Sequence, residues 1–358
     1  NNIYILTNKA HWISDKKDKF KFINKTKKVK FNLYTYSELN YFLQSKVFKI
    51  FFKIFLIPYR LLIFIYLIKY GYVFLKKNKI ELVLNQSGGW PGGEMNLAIS
   101  IASYLVKVKN ILIIHNLSSY KKSFYSKFIY IRDSIYNITA DKIITVSKSC
   151  RLNLYKNTSL KNIFIVKNGS HDFSKLKKIK IKKVKKRKFI IGYVGHIHER
   201  KGLETLLYSI KQTSNEIQFI IIGGGEKNYI NKLKRIAHKN FIDILFVKLQ
   251  KKTLNYYHYF DLFILPSKQF ESFGLVLVEA MSCKKTIICS NYGGMKEIII
   301  NKKNGMLFKK NNSNDLKSKI NYLRKNKKTS LMLSNNAKLT YHKLYTSKIM
   351  VENYKNYF

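Results

Sequence analysis

The chain has 358 residues, 46% of them hydrophobic, which suffices for two domains of ordinary size and excludes a disordered polycation. Lys and Arg number 68 against 19 Asp and Glu, a formal net charge of +49 that turns attention to nucleic acid, an anionic membrane surface or an anionic substrate. The three cysteines, Cys150, Cys283 and Cys289, are odd in number and lack metal-ligand spacing. They argue against a disulfide or zinc scaffold and read as small buried residues in a reducing, cytoplasmic compartment.

The charge has a plainer source as well. The chain is rich in Lys, Asn, Ile, Tyr and Phe and holds only 3 Pro and 16 Gly, the drift an AT-rich coding sequence imposes everywhere. The resulting field is physical all the same and draws the protein toward anionic lipid head groups.

Ile3–Leu6 reads as an opening strand, not as the charged and apolar regions of a secretory signal. No glycine follows it before Gly71, so the loop Asn8–Asp15 is no glycine-rich phosphate turn. Residues 46–77 are apolar and aromatic but interrupted by Lys46, Lys49, Lys53, Arg60 and Lys69, and the uncharged run Leu61–Ile68 is far too short to span a bilayer. With Lys46, Lys49, Lys53 and Arg60 on one helical face, the segment reads either as a membrane-surface helix or as a core helix with snorkelling lysines. Ile80–Leu84 reads as a strand and Met95–Val106 as a helix. Between them Gly88, Gly89, Gly92 and Gly93 imply tight turns and a loop that lines a cleft, or a plain strand–helix connection. Asn110–His115 is a buried strand ending in His115, at the carboxyl end where α/β folds place ligands. Asp141–Ser147 and Ile163–Val166 are further strands, the second running into a turn at Asn168-Gly169.

Lys175–Lys188 alternates lysine with Leu, Ile and Val and reads as an exposed, self-repelling linker. Phe189–Val194 is then a fully buried strand that delivers Gly195-His-Ile-His-Glu-Arg-Lys-Gly202 to the start of the helical run Leu203–Ile210. Ile217–Ile222 leads into Gly223-Gly-Gly-Glu226, Ile242–Val247 is another strand, and Asp261–Pro266 is a strand ended by proline. Next comes Phe270-Glu-Ser-Phe-Gly-Leu-Val-Leu-Val-Glu279. With Ser272 as N-cap and a helix starting near Phe273, the amides of Phe273, Gly274, Leu275 and Val276 form an anion site. Glu271 lies on the loop before it, and Glu279 follows two helical turns later. A ligand with an anionic centre and hydroxyls on both sides fits that layout: a nucleotide-diphosphate sugar. Residues 341–358 read as a final amphipathic helix.

Pro266, Ser267, Glu271, Phe273, Gly274, Glu279, Ala280 and Met281 together resemble the donor-site signature of the family-4 glycosyltransferases, retaining enzymes of the α/β GT-B fold. That resemblance implies two Rossmann-like domains facing a central cleft and a C-terminal helix crossing back to the N-domain. It divides the chain into an acceptor-side domain (1–172), the basic linker (173–188), a donor-binding domain (189–340) and the returning helix (341–358). In the family a glutamate in the place of Glu279 binds ribose, and one in the place of Glu271, with a histidine in the place of His115, contacts the transferred sugar. Gly195, Lys201 and Gly202 match the pyrophosphate loop, in which His196 stands where the family has arginine and Arg200 is the alternative cation. Arginine is a permanent bidentate charge and histidine is not, so the resemblance implies a weaker and more pH-sensitive donor affinity. Lys248, Lys284 and Thr286 stand where the family has Gly, Gly and Pro.

The function implied is transfer of a sugar from a nucleotide-diphosphate donor to a glycan or lipid-linked acceptor, at the inner face of the membrane and without a cofactor. No Asp-x-Asp occurs, so no catalytic metal is expected. The alternatives are a nucleotide-sugar-binding member without turnover, a related epimerase, and a basic nucleic-acid-binding protein. The last rests on charge alone and has no aromatic-basic recognition motif, so no specific nucleic-acid partner is expected.

Overall fold

The computed structural model describes residues 3–7, 26–30, 46–118, 126–176, 184–185, 188–211, 215–248 and 253–358. The loop Asn8–Asp15 and residues 177–183 of the basic stretch lie outside them. Mixed α/β architecture with parallel strand pairing runs through the described residues, which form sheets of two, four and six strands. The chain divides into two compact units, Asn1–Ser87 with Pro91–Leu112 and Phe124–Asp141, and Gly88–Trp90 with Ile113–Ser123 and Lys142–Phe358.

In the first unit, β1 (Ile3–Thr7) pairs in parallel with β2 (Thr26–Lys30). The apolar segment is one long helix, α1 (Lys46–Lys77), with Pro58 inside it. It is followed by β3 (Leu82–Ser87), α2 (Glu94–Val106), β4 (Lys109–Ile114), which runs on into the second unit, and α3 (Ser126–Thr139). α1 lies against α2 through Ile63 and Leu67, which cluster with Ala98. Gly71 allows the close approach, since a Cβ there would stand 3.0 Å from the Ala102 Cβ. Arg60, which the membrane-surface reading puts on a lipid-facing side and the core-helix reading does not, donates Nε and Nη2 to Glu94 Oε1 at 3.0 and 2.7 Å. The side chains of Lys46, Lys49 and Lys53 lie outside the described residues. Asn85 joins β3 to α2, donating to the Asn96 carbonyl (2.7 Å) and accepting from the Asn96 amide (2.6 Å).

The second unit begins its regular structure with β5 (Lys142–Thr145), α4 (Lys148–Asn157) and β6 (Ile163–Ile165). The six-stranded parallel sheet follows: β7 (Phe189–Val194), α5 (Leu203–Ser209), β8 (Ile217–Ile222), α6 (Lys227–Lys239), β9 (Asp243–Val247), β10 (Leu262–Leu265), α7 (Leu275–Ser282), β11 (Thr286–Ser290), α8 (Met295–Ile298) and β12 (Met306–Phe308). Its order is β12-β11-β10-β7-β8-β9. β8, β10 and β11 are buried throughout, as expected of parallel strands that read as continuous apolar runs. The order reverses between β7 and β10, so their carboxyl ends flank the topological switch point.

The stretch expected as a solvated linker is anchored at its C-terminal end. Val184 is buried, and Lys185 and Lys188 both hold Asp243 Oδ2, at 2.9 and 2.8 Å. The single C-terminal helix expected from residue 341 is two helices with a break. α9 (Ser313–Lys325) precedes α10 (Lys327–Leu344), and Thr346 caps a new helix, α11 (Ser347–Lys355), by accepting from the Ile349 amide. The break is used to bring the chain back to β6 and the turn after it. Ser170 N–H donates to the Tyr345 carbonyl (2.9 Å), Ser347 N–H to the Ser170 carbonyl (3.0 Å), and the Tyr357 ring meets Phe164 at 5.1 Å.

Candidate functional site

Two glycine loops meet at the carboxyl ends of β7 and β8. Gly195 N–H donates to the Ile222 carbonyl and Ile197 N–H to that of Gly224, at 2.9 and 2.7 Å. A Cβ on Gly223 would stand 1.8 Å from the Gly195 carbonyl oxygen, and one on Gly225 2.0 Å from that of Ile197. The two backbones can touch only where side chains are missing. Residues Glu199–Lys201 form one 3-10 turn, capped by His198, whose Nδ1 accepts from Arg200 N–H at 3.2 Å. Gly202, at φ +67, closes it so tightly that a Cβ would meet the Pro266 carbonyl oxygen at 2.1 Å. The amides of Lys268 and Gln269 bond the Arg200 carbonyl from the other side.

This docking brings Lys201 to Glu271. The ammonium reaches Oε2 at 2.6 Å, with Ser267 Oγ donating to the same oxygen at 3.2 Å and Arg200 Nη1 at 3.8 Å. Lys201 is only 8% exposed, and burial pushes its pKa down while the Glu271 carboxylate pulls it back up. The pair is a preformed charged centre: each ion makes burial of the other tolerable.

The helix beyond begins differently from expectation. Gly274, at φ +98, is its N-cap, and α7 starts at Leu275 instead of near Phe273. Ser272 caps nothing there. Its hydroxyl donates to Asn116 Oδ1, and its carbonyl accepts from Ser147 Oγ at 2.5 Å. The tertiary bonds compete successfully with the local cap, so Leu275 and Val276 lie in the first helical turn while Phe273 and Gly274 precede it. Gly294 supports the loop from behind, donating its N–H to the Glu271 carbonyl at 2.7 Å.

Glu279, on α7, is the second carboxylate. Tyr257 Oη donates to its Oε2 at 2.9 Å. Burial raises its pKa to about 7, with the tyrosine hydrogen bond acting the other way. His115 stands directly after β4, where burial lowers its pKa. Its neighbour Asn116 is the group bonded to Ser272, so the end of β4 is tied to the residue that follows Glu271. His196 is exposed; its carbonyl accepts from Tyr193 Oη at 2.9 Å and its ring lies 6.1 Å from that of His198. No hydrogen bond or ion pair links the His196 side chain to Lys201 or Arg200. The glycine loop after β3 divides by role. Gly88 and Gly89 lead to the buried Trp90, whose N–H donates to the Leu117 carbonyl (3.1 Å). Gly92 takes φ +74 and Gly93 is the N-cap of α2.

Sequence reasoning gave no role to several supporting residues. Glu297 accepts from the amides of Lys148 and Ser149, at 2.8 and 2.6 Å, and so caps α4 from 148 residues away. Ser147 caps the same helix and holds Ser272. The available signals were Ser147's place at a strand-to-helix boundary and the likeness of Asn291–Gly294 and Glu297 to the family's loop and helix; the Tyr257–Glu279 contact has no sequence signature at all.

The fold is that of the GT-B glycosyltransferases. Residues 174–340 match the model for glycosyl transferases group 1. An uncharacterized glycosyltransferase of Methanocaldococcus jannaschii is 33% identical over 204 residues, 56% of this chain and 54% of that one. The capsular polysaccharide biosynthesis glycosyltransferase CapM of Staphylococcus aureus is 23% identical, covering 64% of each chain. Among solved structures, that of Anabaena HepE in complex with UDP superposes with a TM-score of 0.69 at 16% identity, covering 82% of this chain and 80% of that one. The match spans less than two thirds of the length of either curated relative.

Proposed function

We propose that the protein is a retaining, family-4 glycosyltransferase that moves a sugar from a nucleotide-diphosphate donor to a glycan or lipid-linked acceptor. The observation that carries this reading is the Lys201–Glu271 pair at the switch point, beside Arg200 and the first turn of α7. In this reading Lys201 and Arg200 neutralise the departing diphosphate, and the amides of Leu275 and Val276 add the field of the helix end. Glu271 turns part of its hydrogen-bonding capacity toward sugar hydroxyls, with His115 on the other side of the sugar. Glu279 accepts from the ribose. Retention proceeds through an oxocarbenium-like transition state whose chief demand is stabilising the leaving group, a task that fixed cations and amides perform without reorganising.

HepE's UDP complex makes UDP the first nucleotide to try, and CapM's role in capsular polysaccharide supports a surface-glycan acceptor. Such acceptors suit an enzyme held at an anionic membrane surface. The test is a thermal-shift panel of UDP, GDP, ADP and their sugars on the native chain and on Glu279→Ala. A nucleotide-specific rise in Tm that the variant loses supports the donor site and names the base. No rise with any nucleotide sinks the reading. A rise without sugar transfer or hydrolysis favours the non-catalytic alternative.

A further inference from the structure

Between Leu61 and Lys77, α1 buries one side and leaves the other exposed. Ile63, Leu67, Gly71 and Leu75, three to four residues apart, are buried on one side of the helix. The face between them carries Leu61, Leu62, Ile65, Tyr66 and Val73, which are 59%, 67%, 54%, 49% and 52% exposed. Lys69 and Lys76 share this outward face at the same helical spacing and are exposed too. From Pro58 to Lys77 the stripe runs roughly 30 Å along the helix.

We propose that this outward stripe is a docking surface for an anionic membrane, with α1 lying in the head-group plane. It deepens the reading above by naming the face that would bring the enzyme to its acceptor. Water is a poor home for so much aliphatic surface in one line. The charges select the occupant. On the outward face between Leu61 and Lys76 the charged side chains are Lys69 and Lys76, both basic. A second copy of this chain would press Lys69 and Lys76 against identical lysines with no carboxylate to answer them, on two bodies each carrying +49. An anionic lipid surface answers both features at once, since aliphatic side chains enter the acyl boundary while the lysine heads meet phosphate. The helix lies on the bilayer and does not cross it: among the described residues no helix is long and apolar enough to span.

The test is sedimentation of the full chain with sucrose-loaded vesicles, one set of pure phosphatidylcholine and one containing about a third phosphatidylglycerol. Binding to the anionic set should exceed binding to the neutral set by about tenfold and weaken as salt rises. Leu62→Asp with Ile65→Asp, and separately Lys69→Glu with Lys76→Glu, should each lower anionic binding by about tenfold. Both double variants should keep the nucleotide-induced rise in Tm, which shows that they are folded. Equal binding to both vesicle sets, unchanged binding by either variant, or no binding by the native chain would overturn the proposal. So would a lipid-free dimer, seen by light scattering, that the Asp variant dissolves. Vesicle binding without any nucleotide shift leaves this surface standing and removes the donor-site reading; the reverse result removes the surface alone.

Discussion

Glu271 and Glu279 are eight residues apart at the two ends of one short stretch, and the protein treats them in opposite ways. Glu271 is ion-paired with Lys201, with Ser267 and Arg200 close by. Glu279 is given one neutral donor, Tyr257, and enough burial to move its pKa to about 7. The same residue type is therefore ion-paired at the loop and shifted by burial in the helix. The difference comes from partners far away in sequence: Lys201 is reached because the Gly202 turn docks on Pro266, and Tyr257 because it precedes the strand that α7 covers.

The comparison breaks most severely at the loop end. Glu271→Ala leaves the Lys201 ammonium buried and unanswered except by Ser267's neighbourhood, a loss of about 3–5 kcal/mol. Chemical denaturation should show it as a lower midpoint, and sugar transfer should fall with it. Adding Lys201→Met should recover much of the stability but none of the transfer, because the buried charge is gone and the proposed diphosphate contact goes with it. A double variant no more stable than the single would mean that the pair is not a coupled unit.

At the helix end the expected effect depends on pH. The folded-state pKa of Glu279 stands above its ordinary value of 4.5, so the native chain binds this proton more tightly than the unfolded chain does. The associated stability is fully present below about pH 4.5 and is lost as pH rises through about 7, a change of about 3 kcal/mol. Glu279→Gln should flatten that part of the stability profile, read as the difference between variant and native chain from pH 4.5 to 8. Donor affinity should move the other way. On the proposed role of Glu279, ribose hydroxyls donate to the ionised carboxylate, so nucleotide binding should tighten from pH 6 to 8 in the native chain.

Gly294→Ala tests whether the loop end is held by backbone as well as by charge. A Cβ there would stand 2.3 Å from the Ser272 carbonyl oxygen. The Glu271–Phe273 loop would have to shift, at about 1–3 kcal/mol, and the nucleotide-induced rise in Tm should shrink with no charge altered. A crystal structure or denaturation curve indistinguishable from the native chain's would show the loop to be softer than its packing implies.

Much of this was legible in the sequence where one element decides the outcome. The buried strands Phe189–Val194 and Ile217–Ile222 were read to the residue, because a fully buried parallel strand is a bounded apolar run. The site was legible where glycine, proline and paired charges punctuate the chain, as at Gly202, Pro266 and Glu271. It was not legible where two distant segments decide. Ser272 looks like a helix cap, and only the arrival of Asn116 and Ser147 turns it into a tertiary bond instead. Arg60 looks like a lipid-facing charge until Glu94 meets it. In the same way, the break between α10 and α11 follows from hydrogen bonds to Ser170 that no local pattern announces.

The smallest effect lies at the exit of α7. Lys284 takes φ +54, a left-handed conformation in which a side chain is strained and glycine is not. It stands where the family signature has glycine, and this backbone gives the physical reason for that preference. The contrast with the loop glycines is instructive: Gly223, Gly225 and Gly294 face backbone atoms at distances no Cβ tolerates, whereas the cost at Lys284 is torsional alone, and Lys107 and Lys302 occupy the same conformation. Lysine is therefore bearable at one kind of position and not at the other. Lys284→Gly should relieve the torsion at the expense of unfolded-chain entropy, a net gain of about 0.5–1 kcal/mol. Calorimetry should read it as a Tm higher by about 1–3 °C, with the pH profile of Glu279 unchanged. A lower Tm would mean that the lysine side chain makes contacts worth more than its strain.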